Sequence, residues 1–448
     1  MQSIFEKELQ KQNLAFKAYP TLSQDIACDV AIVGGGLSGL LCAYWLNKNG
    51  VKATVFESRS IASATTSKST AVITALQDPL YTRLAKKNRY ASDYIKAHKE
   101  AIELYKQIAT EHNIDCNFEY KDSYLYASND EPKSIKKLKK EFDAMHALDS
   151  SVQFVTSKFG PSLKMQNQAQ INILKFLLEL PKDFDIFENT RIVDFILDKG
   201  ILKTETGNTI TANKIVIATR FPAILSELYY FKMYQTKSYV IAFKAPTLDA
   251  TYNGTADDSL YFRSYGDYVL LGGFDHRTGR HKCGVNYYDK LTACAKKYFN
   301  VDDDKIEYAW SSMDSTTYDA IPFAGSLSEK HSNAFVITGF NEWGVANAMM
   351  CSRIVANAIV GKKDEFYKVF STYRPYCAKN IGSFIPHALI ASGSLLKGLF
   401  NPKKRCSHIG CGLKYNKIED VFECPCHGST FTADGKLLDG PAVKDIGE

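Results

Sequence analysis

The run Asp29-Val30-Ala31-Ile32-Val33-Gly34-Gly35-Gly36-Leu37-Ser38-Gly39 decides the fold of most of this 448-residue chain. Asp29 to Val33 is the short apolar run of a buried strand, and Leu40 to Asn49 continues in a helical pattern. A second strand pattern, Ala53 to Phe56, ends in Glu57. Strand, glycine turn, helix and second strand, with an acid about 20 residues on, make up the dinucleotide-binding βαβ fingerprint. Gly34 permits the tight turn, Gly36 lets the backbone approach a pyrophosphate, and Gly39 lets helix pack on strand. The unpaired N–H groups at the helix start, around Leu37 and Ser38, face the phosphates with the positive end of the helix dipole. Glu57 can accept hydrogen bonds from both ribose hydroxyls. A glycine-rich turn in an unrelated α/β domain is the competing reading, but it requires neither the second strand nor the acid.

Downstream residues separate a flavin from a nicotinamide. Ser58 to Ala71 is small and hydroxyl-rich, with Ser63, Thr65, Thr66, Ser67, Ser69 and Thr70. Ile210 to Thr219 reads as a strand ending in Ala218-Thr219. Asp319-Ala320-Ile321-Pro322-Phe323-Ala324-Gly325 and Thr338-Gly339-Phe340-Asn341-Glu342-Trp343-Gly344 precede a helix pattern from Val345 to Val360. In this order the segments resemble the D-amino-acid oxidase-like FAD family from 29 to 360. The resemblance implies FAD. It places Ser58, Thr65, Thr66 and Ser67 along the pyrophosphate and flavin ring, and Thr219 at the second FAD motif. Gly339, Phe340, Trp343 and Gly344 form the turn that opens the last helix toward the flavin pyrimidine end, where negative charge develops on reduction. Arg220 departs from the family, which has a small residue there.

Between these motifs, residues 84–112 and 134–147 carry helical periodicity with charged faces and predict a helical insertion. From Tyr234 onward the pattern is strand-like: Lys237 to Phe243, Ser259 to Arg263, and Tyr268 to Leu271 after the Gly266-Asp267 turn. The resemblance makes this an antiparallel substrate sheet laid over the flavin. Arg263 has two readings, a bidentate fork for a substrate carboxylate or a support for the cofactor region. Gly272-Gly273-Phe274-Asp275-His276-Arg277-Thr278-Gly279 resembles a segment of FAD enzymes with iron-sulfur tails. It implies His276 as a general base or flavin neighbour, against the alternative of a structural turn histidine. Trp310 and Trp343 read as core and flavin-side aromatics. No residue stands out as the proton acceptor.

The tail carries Cys406-Ser407-His408-Ile409-Gly410-Cys411 and Cys424-Pro425-Cys426-His427-Gly428-Ser429. A structural zinc site takes four ligands, commonly as CxxC pairs or a CxxC with an HxxxH. Six candidate ligands stand here without that arrangement, and a zinc knuckle needs neither Gly410 nor Pro425, Gly428 and Ser429. The boxes resemble the two cluster-binding loops of Rieske proteins, C-x-H-x-G-C and C-P-C-H-G-S. The resemblance implies a [2Fe–2S] cluster, with Cys406 and Cys424 on one iron and His408 and His427 on the other. Histidine ligation raises the reduction potential. It also implies a Cys411–Cys426 disulfide. The tail departs from the family at Phe431, where high-potential members carry Tyr. It departs again upstream, where about 45 residues separate Val360 from Cys406 and few read as strands.

Composition bounds the rest. Hydrophobic content of 45% and charged content of 23% are those of a globular protein too long for one core. The net charge of +6 is spread along the chain, and nothing resembles a nucleic-acid module. Met1 to Pro20 lacks the apolar centre of a secretory signal, and no run of about 18 apolar residues predicts a transmembrane helix. Seven of the 11 cysteines lie singly outside the tail, which fits reduced thiols and a cytoplasmic location. Phe384 to Phe400 is apolar but broken by Pro386, Gly393, Lys397 and Gly398, and Lys403-Lys404-Arg405 follow. It reads as a linker packing on the FAD domain or as an interfacial anchor making peripheral contact with anionic lipid.

The expected fold class is α/β: a Rossmann-like FAD-binding domain with an antiparallel substrate sheet over 1–376, a linker over 377–404, and a small β-rich truncated Rieske module over 405–448. The expected activity is that of an FAD-dependent dehydrogenase. A small amine or amino acid reduces FAD, and electrons leave singly through the cluster to an external acceptor, protein or quinone. A redox sensor or electron carrier without a small substrate is the alternative.

Overall fold

The computed structural model describes the chain except residues 1, 86–87, 129–130, 225–226, 228, 257, 259, 375–380, 402–403 and 448, and for 88–89 and 381–387 it describes the backbone alone. The expected boundary at 376/377 and Lys403 therefore lie outside the described residues.

Among the described residues two large sheets organise the first part of the chain. The strand Ile26–Val33 is the centre of an eight-stranded sheet, paired in parallel with Ala53–Phe56 on one side and Thr209–Ile217 on the other. Asp185–Phe187 and Ala334–Thr338 extend it in parallel, and Phe323–Ser326 closes that edge antiparallel. Val30 to Val33 and all of Ala53–Phe56 are buried without alternation, because both faces of the sheet are covered. The helix Leu37–Lys48 starts directly after the glycine turn, with Gly36 as its N-cap. Helix Gly344–Ile359 lies against it, and the Ser352 hydroxyl donates to the Ser38 carbonyl at 2.8 Å.

The second sheet has nine strands. Met233–Lys244 is flanked by Ile306–Thr317 and Tyr268–Arg277, and Tyr261–Tyr265 and Ala250–Gly254 follow. The sequence reading caught this part but drew its strands too short. Glu119–Tyr126, between the two predicted helices, and Gly160–Gln170, after them, were assigned no strand by the sequence reading and continue the same sheet. Glu119–Tyr126 begins Glu-Tyr-Lys-Asp and buries only Ser123, Leu125 and Tyr126, so it offers no period-two apolar signal. The helices Asn88–Glu111 and Pro132–His146 stand where periodicity predicted them.

The tail is a four-stranded antiparallel sheet of Lys414–Asn416, Val421–Glu423, Thr430–Thr432 and Leu437–Asp439. Before it, one helix spans Ile381–Phe400. Among its described side chains, the packed ones lie on the cluster module, whereas a linker packing on the FAD domain was expected. Small residues let it lie on the cluster loops: a side chain on Gly398 would collide with the Gly410 carbonyl, and the Gly412 N–H donates to the Ser394 carbonyl at 2.7 Å. Among the described residues no helix is long and apolar enough to cross a membrane.

Candidate flavin cavity and cluster site

A cavity of ≈ 310 Å³ lies between the two sheets. Gly34, Gly36, Leu37, Ser38, Glu57, Ser58, Thr65, Thr66 and Thr219 line one part of it, and Gly339, Phe340, Trp343 and Gly344 line another. The glycines fit a cofactor pressed against backbone. Gly34 has φ +110°, and a Cβ there would lie 2.6 Å from the Ala218 carbonyl oxygen. Around Gly36 a Cβ would meet only the Thr66 Oγ1, at 3.3 Å, so the space above it is open cavity. The Leu37 N–H donates to Thr66 Oγ1 at 3.0 Å, and Gly35 N–H donates to Glu57 at 2.7 Å. These residues would hold the pyrophosphate and ribose of FAD. Gly39 and Ser67 stand outside the lining. Gly39 seats the helix on Gly34, and the Ser67 hydroxyl turns back to the Ser63 and Ala64 carbonyls.

The two candidate catalytic residues are placed otherwise. Arg263 is 1% exposed and gives its guanidinium to the carbonyls of Thr70, Ala71 (3.0 Å), Ile171 (3.3 Å) and Ser264 (3.2 Å). Phe5 and Tyr265 flank it. The cation braces the hydroxyl-rich segment that borders the cavity, which corrects its reading as a carboxylate clamp. His276 faces away from the cavity. On strand Tyr268–Arg277 neighbouring side chains point to opposite faces, so Asp275 enters the lining and His276 stacks on Tyr287 at 4.8 Å. That placement corrects its reading as a base: it is a packed histidine whose pKa burial lowers.

Sequence reasoning missed what lines the rest of the cavity: Asp78, Asp275, Asp314 and Glu342. Glu342 sits at φ +73°, an uncommon conformation for a non-glycine residue, and its N–H donates to Asp314 at 2.5 Å. Burial, then the Asp78 charge, pushes Glu342 up to about 7 against the pull of Thr236. Burial raises Asp314 to about 6. Cations line the same cavity, Arg59, Lys68, Arg191, Arg220 and Arg263 among them; Arg220 acts on Asp314, while Arg263 gives its guanidinium to backbone carbonyls.

The tail supplies a second site. Cys411 and Cys426 form a disulfide, as the loop resemblance implied. Cys406 and Cys424 remain free, buried, and in hydrogen-bonding contact with each other. That contact, with the N–H groups of His427 and Cys426, holds the Cys424 thiol below its ordinary value although burial opposes this. The Cys424 sulfur lies within 4.8 Å of both disulfide sulfurs. The rings of His408 and His427 stand 5.2 Å apart. His427 donates from Nε2 to the Tyr230 carbonyl at 3.2 Å, while its Nδ1 and both nitrogens of His408 are buried without a partner. Burial lowers His408 to about 4 and His427 to about 3, which keeps both imidazoles neutral, as metal ligands must be. Two thiols, two neutral imidazoles and an orphaned Nδ1 fit the donor set of a Rieske cluster. Phe431 is fully buried in the same apolar cluster as the four cysteines.

The two sites share a wall. Asp439, Gly440, Pro441, Ala442 and Val443 of the tail line the flavin cavity. Arg220, the departure from the FAD motif, explains itself here: it binds Asp439 at 2.7 Å and the Gly440 carbonyl at 3.2 Å. Phe221 lines the cavity and lies 5.2 Å from the His427 ring. Arg277 donates to the carbonyls of Pro425 (2.8 Å) and Cys426 (3.0 Å) in the second cluster loop. Beneath that loop Lys237 binds Glu419 and, at 2.7 Å, Glu423. Burial works against the Glu423 charge, but Lys237, His281 and Asn416 together outweigh it and hold the carboxyl well below the usual range.

Comparison with known proteins agrees with this division. A family model described as FAD dependent oxidoreductase matches residues 29–358, and one described as Rieske [2Fe-2S] domain matches 397–448. The protein YhfW of Bacillus subtilis (strain 168), named as a Rieske 2Fe-2S iron-sulfur protein, is 27% identical over 494 aligned residues, covering 97% of this chain and 96% of its own. The cytochrome b6-f complex iron-sulfur subunit 1 of Nostoc sp. (strain PCC 7120 / SAG 25.82 / UTEX 2576) is 49% identical over 41 residues, 9% of this chain and 23% of its own. Among solved structures, glycine oxidase from Geobacillus kaustophilus superposes with a TM-score of 0.64 at 18% identity, covering 78% of this chain and 100% of that one.

Proposed function

The chain belongs to the FAD dependent oxidoreductase family and carries a Rieske [2Fe-2S] domain, and from that footing we propose that it dehydrogenates a small amine or amino acid and passes the electrons through the cluster to an external acceptor. FAD, when bound, accepts a hydride, and the cluster carries electrons singly. One observation carries the electron path: the tail residues Asp439 to Val443 and the aromatic Phe221 form a common partition between the flavin cavity and the His427 loop. An electron leaving the cavity needs no diffusing carrier to reach the cluster. A fused cluster also suits a dehydrogenase, because an oxidase gives its electrons directly to oxygen.

The acid wall supports an amine. Asp78, Asp275, Asp314 and Glu342 give one wall of the cavity a set of carboxyl groups that suits an ammonium group. An ammonium must lose a proton before its carbon can release hydride. Glu342, with a pKa near 7, is matched to accept that proton at neutral pH. The wall is therefore suited to the amino group of an amine or amino acid.

The test is an anaerobic titration of the holoprotein with a panel of amines and amino acids, following flavin and cluster absorption separately. A substrate should bleach the flavin and then the cluster. Reduction by dithionite but by no member of the panel would assign the protein to electron carriage without a small substrate.

A further inference from the structure

We propose that the outer face of helix Ile381–Phe400 docks on an anionic lipid surface, with the cluster module held directly beneath it. The helix is built opposite to an ordinary surface helix. Its packed side carries Ala391, Ser394, Leu395 and Gly398 against the cluster loops. Four large apolar residues face outward: Leu389 is 68% exposed, Leu396 57%, Leu399 72% and Phe400 87%. At helical spacing these four fall within about 100° of arc, the width of a single apolar stripe. An apolar stripe facing water on a helix whose other face is already packed marks an interaction surface.

Charge selects the occupant. From Phe366 to Ile418 the chain holds no Asp or Glu and nine Lys or Arg residues. Lys397 on the helix and Lys404 and Arg405 just beyond it are exposed. A second copy of this face would bring like charges together with no acid from this segment to offset them. An anionic bilayer supplies both the apolar phase for the leucines and Phe400 and the counter-charge for the lysines, the arrangement of an interfacial amphipathic helix. The opposite, small-residue face fixes the depth of the cluster. The Cys426 sulfur lies 3.8 Å from the Ala391 carbonyl, so one helix diameter, about 10 Å, separates the cluster loops from the lipid.

The experiment is co-sedimentation of the full-length holoprotein with vesicles of phosphatidylcholine alone or mixed with phosphatidylglycerol, at low and high salt, beside lipid-free analytical ultracentrifugation. Wild type should bind the anionic vesicles at least about tenfold more tightly than neutral ones, and salt should weaken the binding. The triple variant Leu396→Ser, Leu399→Ser, Phe400→Ser should lose about tenfold or more while keeping its flavin and cluster spectra. Lys397→Glu with Lys404→Glu, which leaves the packed face untouched, should lose binding to anionic vesicles only. Failure of wild type to sediment with anionic vesicles, or equal binding by both variants, overturns the proposal. So does a concentration-dependent dimer that the triple variant dissociates, which would give the face to a second copy.

Discussion

Replacing Lys237 by Met removes the cation on which the cluster module rests. The Lys237 side chain is 4% exposed, and its partners Glu419 and Glu423 are 10% and 0% exposed. Glu423 keeps the Gly279 N–H at 3.0 Å, the Asn416 amide at 3.0 Å and His281 Nδ1 at 3.3 Å, and of these the histidine alone carries charge, and only when protonated. Breaking a buried pair by removing one partner costs about 3–5 kcal/mol, because an uncompensated charge stays behind. A module of this size holds little more than that margin by itself, since cores below about 70–80 residues rarely supply over 3–5 kcal/mol. Lys237→Met should therefore release the module while the flavin domain stands. Urea unfolding reads this when the cluster is followed by visible circular dichroism and the flavin by absorbance. The cluster transition should lose about 3–5 kcal/mol and the flavin transition less than about 1. Adding Glu423→Gln to Lys237→Met should recover at least about 1 kcal/mol, because one stranded charge disappears. A cluster transition shifted by less than about 1 kcal/mol, or equal shifts in both transitions, would refute the anchor.

The same pair sets an acid limit. The folded-state value of Glu423 is depressed below the ordinary glutamate value of about 4.3. Its contribution is then fully present above about pH 4.3 and fades as pH falls below it. Cluster-module stability in wild type should fall with acidification in that window, and Glu423→Gln should show a shallower fall.

Phe431→Tyr places a hydroxyl in the apolar cluster formed with Cys406, Cys411, Cys424 and Cys426, and a donor to sulfur favours the reduced state. A differential hydrogen bond of about 1 kcal/mol corresponds to a rise of about 40 mV for one electron, and a redox titration showing no rise would mean the hydroxyl finds another partner. Gly36→Val fills the cradle beneath the pyrophosphate, so the purified protein should lose FAD and keep its two irons. Glu342→Gln removes the group placed to take the substrate proton. Flavin reduction by an amine should rise through about pH 7 in wild type as Glu342 ionises, and in the variant that limb should vanish with the rate down about a hundredfold. An unchanged pH profile would exclude Glu342 as the acceptor.

What the sequence made legible was local. The glycine turn is fixed by contacts within one βαβ unit and the strand beside it, so spacing alone carries it. The two Cys/His boxes are short loops whose ligands are four residues apart or fewer. The acid wall was not legible, because Asp78, Asp275, Asp314 and Glu342 come from four separate segments and meet only through the stacking of two sheets. Period-two alternation held one clue. Tyr261 and Arg263 share a face of one strand, and Asp275 rather than His276 faces the cavity on the next. Yet alternation says nothing of partners. Arg263 does face inward, but Thr70, Ala71 and Ile171, distant in sequence, take its guanidinium.

The truncated tail follows from the same limits. Its small sheet is supported by two surfaces of different kinds; the sequence reading pointed to the FAD domain as a support and not to the helix. On one side the helix Ile381–Phe400 covers the disulfide, made possible by a glycine where any side chain would collide with the first cluster loop. On the other, the substrate sheet holds the second loop. Gly428 sits against the Gln235 side chain, Arg277 caps the Pro425 and Cys426 carbonyls, and Tyr230 takes the His427 N–H. That last bond fixes the tautomer that leaves Nδ1 for iron. It also seals one cluster histidine against the FAD domain, so the ligand edge lies on the flavin side of the module. On the proposed path, electrons would enter through the partition of Phe221 and the Asp439–Val443 segment, and an outside acceptor would approach from another face. The contacts that support the module and the proposed route of electron entry thus lie in the same interface.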